Sequence, residues 1–110
     1  MVVFLGYCQR IKSAQSQAVK LVYSQEAVSD LIRLREFIAE KDPGAAARVS
    51  LELVTRIDYI CSFPDMGRAV GLSPEPLDIR DSIFGKYVVR YIAQTDSIVI
   101  LRVWHHYESR

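Results

Sequence analysis

Residues 78–107 read DIRDSIFGKYVVRYIAQTDSIVILRVWHHY, and this stretch decides the fold. Three β-branched or aromatic runs follow one another, separated by turn residues at Phe84-Gly85 and at Thr95-Asp96-Ser97, breaks short enough for hairpins. Each run carries one arginine (Arg80, Arg90, Arg102), and the last ends in His105-His106-Tyr107. Alternation along a strand assigns faces. Tyr87, Val89 and Tyr91 share one face of the middle strand, opposite Lys86, Val88 and Arg90. Val99, Leu101 and Val103 oppose Ile100, Arg102 and Trp104 in the last strand. Leu77, Ile79 and Ile83 oppose Asp78, Arg80 and Ser82 in the first. If each strand turns its more apolar set toward a covering layer, Arg80, Arg90, Arg102 and Trp104 emerge together as an open cationic groove, with Tyr87 and Tyr91 in the core.

The covering layer lies upstream. Lys20 to Tyr23 alternates as a short first strand. Ser24 then stands as an N-cap, with Glu26 and Asp30 near the positive end of the helix dipole. Ala27, Leu31, Leu34 and Ile38, with Val28 and Phe37, make the apolar stripe of a helix over 25–40. Asp42-Pro43 restarts the pattern as N-cap and first helical residue. Ala46, Val49, Leu53, Ile57 and Ile60 form a second stripe that ends before Phe63-Pro64. Residues 64–76 hold three prolines with Gly67 and Gly71 and read as a loop. The expected fold is α+β in the order β-α-α-β-β-β, a helical hairpin packed on a mostly antiparallel four-stranded sheet. Residues 1–19 show no clear period and are expected to be a poorly defined N-terminal extension, with a single domain over 20–107 and a tail over 108–110.

The chain has 110 residues, half of them hydrophobic and a quarter charged, which suits one domain with one core. Its formal charge of +1 is weak equipment for a nucleic-acid binder. Cys8 and Cys61 match no metal spacing and are expected to be reduced thiols, with Cys61 buried on its helix. No apolar run approaches the roughly 20 residues that span a bilayer. Met1-Val2-Val3-Phe4-Leu5 is too short for a signal sequence and lacks a preceding basic region. These features point to a cytoplasmic protein.

From about Lys20 to Tyr107 the chain resembles the RelE/ParE superfamily of type II toxins, also known from plasmid stabilisation systems. The resemblance rests on the helical hairpin with Asp42-Pro43 and on Phe63-Pro64-Asp65-Met66-Gly67-Arg68. It rests further on Arg80, on Gly85-Lys86-Tyr87-Val88-Val89-Arg90-Tyr91, and on Ile100-Leu101-Arg102-Val103-Trp104-His105. It implies a growth-inhibiting toxin encoded with an antitoxin that wraps it. That antitoxin would cover the apolar helix faces and neutralise the arginine groove. Operator DNA would be reached only through the antitoxin, and no cofactor, metal or membrane is implied. ParE-like members poison DNA gyrase by binding; RelE-like members enter the ribosomal A site and cleave mRNA.

Message cleavage needs fixed cations and a proton shuttle. Under that alternative Arg102, His106 and Tyr107 are the catalytic candidates, with Arg80 and Arg90 as further cations. The low net charge argues against competition for a phosphate-walled site. The Leu101-Arg102-Val103-Trp104-His105 ending and the Met66-Gly67-Arg68 loop look more ParE-like. The favoured expectation is therefore a gyrase-binding inhibitor whose target and antitoxin contacts are Arg68, Arg80, Arg90, Arg102, Trp104 and His105. A non-toxic relative kept as an antitoxin partner is a third class. His105 and His106 point to opposite sides, so at most one faces the groove. Arg102→Ala is expected to weaken toxicity with the fold intact.

Overall fold

The computed structural model describes residues 2–12, 15–71 and 78–105. Strand β1 (Val2–Lys12) and strand β2 (Gln15–Ser24) precede helices α1 (Gln25–Lys41) and α2 (Pro43–Ser62). A 3-10 turn (Pro64–Met66) then leads into β3 (Arg68–Ala69), β4 (Ile79–Phe84), β5 (Tyr87–Ala93) and β6 (Ser97–His105). The helices begin where the capping residues place them. Ser24 Oγ accepts from the Ala27 N–H, and Asp42 Oδ1 accepts from the Gly44 and Ala45 N–H groups. Asp42 also ends α1, its own N–H donating to the Ile38 carbonyl, so a single residue closes one helix and opens the next.

Six strands form one sheet in the order β1-β2-β6-β5-β4-β3, with β2 parallel to β6 and the other pairs antiparallel. The expected sheet had four. The two additional strands are β1, paired with a β2 that starts before Lys20, and the two-residue β3. The first was hidden by its own irregularity. A register shift between Phe4 and Gly6 interrupts the alternation of β1, and Gly6 there adopts a φ of 116°, a value that glycine adopts without a Cβ clash. The polar Gln15-Ser16-Gln17 run pairs through its backbone with Lys12, Ile11 and Arg10, which side-chain polarity does not reveal.

Helices α1 and α2 cover one face. The core gathers Val19 from β2, Leu34 from α1, Ile57 and Ile60 from α2, and Val89, Tyr91, Ile98, Ile100 and Val103 from the sheet. In β5 the expected inward set, Tyr87, Val89 and Tyr91, does face the helices. In β6 a register shift opposite Arg90/Tyr91 places Leu101 as an extra residue. Ile98 and Ile100 before it and Val103 after it all point inward, whereas strict alternation had turned Val99 and Leu101 inward. In β4 the expected faces are reversed. Arg80 pairs with the inward Tyr91, and Ile79, Asp81 and Ile83 lie on the open face, Ile83 with half its surface exposed. The helices pack chiefly on β1, β2 and β6, so burial places little demand on the apolar residues of β4.

Cys8 and Cys61 are joined in a disulfide, with their Cα atoms 6.0 Å apart, which corrects the expectation of two free thiols. Cys61 is fully buried, as its helical position implied. Its partner could not be foreseen without β1, which turns Cys8 toward α2.

The Tyr91 hydroxyl is buried beside the turn after α2. It accepts from the Gly67 N–H at 3.1 Å and donates to the Pro64 carbonyl, and a Cβ on Gly67 would run into the Tyr91 ring. Tyr91→Phe is expected to lower stability by about 1–2 kcal/mol, since both backbone partners lose their bond in a part-buried site. A urea titration reads this as a lower midpoint at constant slope; an unchanged midpoint would show that water replaces the hydroxyl without loss.

Candidate functional site

Cross-strand register places four ionisable residues in one row across the open face. Arg68 on β3 pairs with Asp81 on β4, Asp81 with Arg90 on β5, and Arg90 with Arg102 on β6. Partners in a ladder project to the same side, so three strand arginines line up with one aspartate between them. The neighbouring row, Ile83, Val88 and Trp104, is apolar. The Arg90 guanidinium lies 5.1 Å from the Trp104 ring centroid, a cation–π geometry.

The arginines are committed to carboxylates to different degrees. Arg90 grips Asp81 with two bonds, Nε–Oδ1 at 2.8 Å and Nη2–Oδ2 at 3.1 Å, and this pairing holds Arg90 more firmly protonated than usual. Arg68 is exposed at the end of the row. Arg102 reaches around the sheet edge to α1, where Nε and Nη2 bond the two Asp30 oxygens at 2.8 and 3.0 Å.

That last pairing follows from the topology. Strand β2 accompanies β6 only as far as the Tyr23–Ile100 pair, then becomes the cap of α1. Beyond Ile100 the edge of β6 would carry unsatisfied backbone groups, and α1 supplies their partners. Ser24 Oγ donates to the Leu101 carbonyl at 2.7 Å, and Asp30 Oδ2 accepts the Val103 N–H at 2.9 Å. Arg33 adds a third donor group to Asp30 at 2.7 Å. Burial would raise the Asp30 carboxyl, but the bonds from Arg102, Arg33 and the Val103 N–H outweigh it and hold the group below the usual carboxylate range.

Two of the expected contact residues, Arg80 of the groove and His105, lie off the open face. Arg80 projects to the helix-covered face, bonds Asp78, and donates to the Asp65 and Gly67 carbonyls at 3.1 and 2.9 Å, so it pins the turn after α2. His105 also faces the helix side, edge-on to Tyr87 at 5.1 Å and beside Phe37. Arg68, Arg90, Arg102 and Trp104 do share the open face. His106 and Tyr107 lie outside the described residues. Sequence reasoning missed Asp30 and Asp81 as partners, although one signal was present. Ala27, Asp30 and Leu34 share the buried stripe of α1, and a carboxylate on such a stripe requires a cation.

Among the described strand residues the open face carries no histidine, and its one carboxylate, Asp81, is held by Arg90. No group of three metal-ligating side chains occurs among the described residues. The face is equipped to bind through arginines and an aromatic. A second feature is an apolar cleft of about 270 Å³ between α1 and α2, lined by Leu31, Leu34, Ile38, Val49, Leu53 and Ile57 among others. Among the described residues no helix is long and apolar enough to cross a membrane.

Comparison with known proteins identifies the frame in which these features sit. Residues 21–110 match the family model described as the ParE toxin of the type II toxin–antitoxin system parDE. The chain is 35% identical over 92 residues to Toxin RelE1 of Caulobacter vibrioides, covering 82% of this chain and 96% of that protein. It is 29% identical over 86 residues to Toxin RelE2 of the same organism, covering 78% and 93%. A solved structure titled as the chromosomal ParDE TA system from P. aeruginosa shares the fold, with a TM-score of 0.59 over 76% of this chain and 90% of that one at 13% identity. With both helices and strands β3 to β6 falling wholly inside the matched residues, the chain belongs to the ParE toxin family of type II toxin–antitoxin systems, within the RelE/ParE superfamily.

Proposed function

We propose that this toxin inhibits growth by binding DNA gyrase through the open face of its sheet and is neutralised by a cognate antitoxin. The observation that carries the reading is the composition of that face. Arg68, Arg90 and Arg102 stand in one row beside Trp104, and the described residues there offer anchors for a protein surface but no pair of proton-transfer groups. Aromatic and arginine side chains are the residues most often found to dominate protein–protein affinity. The formal charge of +1 agrees with a protein target. The antitoxin's apolar segment fills the cleft between α1 and α2, and operator DNA is met only through the antitoxin.

The curated relatives carry the name RelE, which keeps a second reading in view: ribosome-dependent mRNA cleavage, with Arg102 as the cation and His106 and Tyr107 as proton carriers.

Arg102→Ala is a poor probe of either reading, because it leaves the buried Asp30 carboxylate without its bidentate partner. Arg68→Ala is the better one, since Arg68 is exposed. It is expected to weaken inhibition of gyrase supercoiling at least about 10-fold, the effect of losing one interface contact worth over 1.4 kcal/mol, with an unchanged melting temperature. Inhibition equal to the parent's would remove the open face from the mechanism.

A further inference from the structure

Strand β1 ends the sheet, and among the described residues no other strand pairs with its outer edge. Val2, Phe4, Leu5, Tyr7 and Ile11 are each at least half exposed, and the Phe4 and Tyr7 rings meet edge to face at 5.5 Å. Edges of this kind template further strands, and proteins usually blunt them with prolines, charges or short length. Here the strand runs 11 residues without a proline or an acid. The guanidinium of Arg10 is turned inward onto the Gln94 and Thr95 carbonyls at 2.7 and 3.0 Å. The bulge before Gly6 leaves Tyr7 onward in regular register.

Alongside this edge runs the C-terminal half of α2. The Ser62 hydroxyl donates to the Gln9 carbonyl at 3.2 Å, and a groove of about 500 Å³ separates the two elements, lined by Tyr7, Gln9, Asp58, Tyr59, Ser62 and Phe63 among others. A strand edge flanked by a helix is the geometry that accepts an added β-strand. The occupant must be extended and apolar, and it must bring no acid toward Asp58, the groove's one ionised lining residue. Strand β1 meets each requirement itself: residues 1–23 hold Arg10, Lys12 and Lys20 and no Asp or Glu.

We propose that β1 of a second copy pairs antiparallel with β1 across this edge, giving a two-fold dimer with a continuous sheet. Centred on Gln9, the pairing sets Tyr7 against Ile11 of the second copy twice by symmetry, both on the exposed face, and separates the basic ends. A parallel arrangement would stack those ends on each other. The interface is isologous and closes at two copies. It lies outside residues 21–110, the part matched by the family model, and is independent of the toxin's target.

Light scattering on the full chain at about 100 μM, with the disulfide intact, tests this. The parent is expected at twice 12.5 kDa. Tyr7→Glu is expected to raise the dimer dissociation constant about 30-fold or more, through loss of two symmetric contacts of about 1 kcal/mol each and burial of two carboxylates. Tyr7 is two-thirds exposed, so its substitution spares the core, and Ile32→Glu on α1 should leave the dimer intact. A monomeric parent at this concentration, or a dimer that survives both Tyr7→Glu and Ile11→Glu, would overturn the proposal. So would amide protection of residues 7–11 that appears only on adding antitoxin, since that assigns the edge to the antitoxin.

Discussion

Asp30→Ala is expected to lower the free energy of unfolding by about 3 kcal/mol at neutral pH. Asp30 is almost fully buried and satisfies four donors, two on Arg102, one on Arg33 and the Val103 N–H. Removing one member of a buried ion pair typically costs about 3–5 kcal/mol because the remaining groups are left unsatisfied. The lower end applies here, since the Arg102 side chain is 38% exposed and can rehydrate. The Val103 N–H cannot, because it lies on the strand edge that α1 covers. Asp30→Asn keeps an acceptor for it and should lose about half as much. The acid limb carries a second signature. The folded-state carboxyl is held below its unfolded value, so its contribution is complete above the ordinary aspartate pKa of about 3.9 and disappears as pH falls through the folded value. The difference between parent and Asp30→Asn should therefore shrink below about pH 4. A difference that is constant from pH 7 to 3 would show that the carboxylate's charge plays no part in anchoring β6.

Reducing the Cys8–Cys61 bond is expected to lower stability by about 4 kcal/mol. The bridge closes a loop of 53 residues, and the chain-entropy relation for a loop of that length gives about 4 kcal/mol at 25 °C. The bond ties β1 to α2, and both sulfurs belong to the core cluster with Val19, Ile57 and Ile60. Cys8→Ser with Cys61→Ser should behave like the reduced parent, and β1 should be the first segment to lose amide protection, because the bond is its covalent tie to the helical layer. Urea unfolding with and without a thiol reductant measures the effect. Superimposable curves, with the bond confirmed by intact mass, would show that hairpin pairing alone holds β1 in place.

The parts of the fold that sequence made legible are those set by local chemistry. The caps at Ser24 and Asp42, the apolar stripes of α1 and α2, and the inward set of β5 each follow from a repeating period or a single capping side chain. Two irregularities defeated the same reasoning. An extra residue in β6 inverts its parity at Leu101, and a glycine bulge in β1 breaks an alternation that otherwise runs through Val2, Phe4, Tyr7, Gln9 and Ile11. Bulges carry no composition signal beyond the glycine, so a period-2 reading crosses them without notice. The candidate site was legible in part for the same reason. Arg90, Arg102 and Trp104 share the open face because parity around Val103 held, and Arg68 joins them through β3. Arg80 left the open face because the helices pack chiefly on β1, β2 and β6, so that exposure of Ile83 on β4 carries little penalty. The partners Asp30 and Asp81 required knowledge of which strand edge remained open, a property of topology and not of any local window.

The role proposed for the arginine and tryptophan face is to bind a protein target without performing chemistry. The most direct measurement gives purified, antitoxin-free toxin two substrates in parallel, relaxed plasmid with DNA gyrase and message on programmed ribosomes. Blocked supercoiling with intact message is the predicted result. Message cut on the ribosome with gyrase unaffected would contradict it and make Arg102, His106 and Tyr107 the residues to test as catalysts.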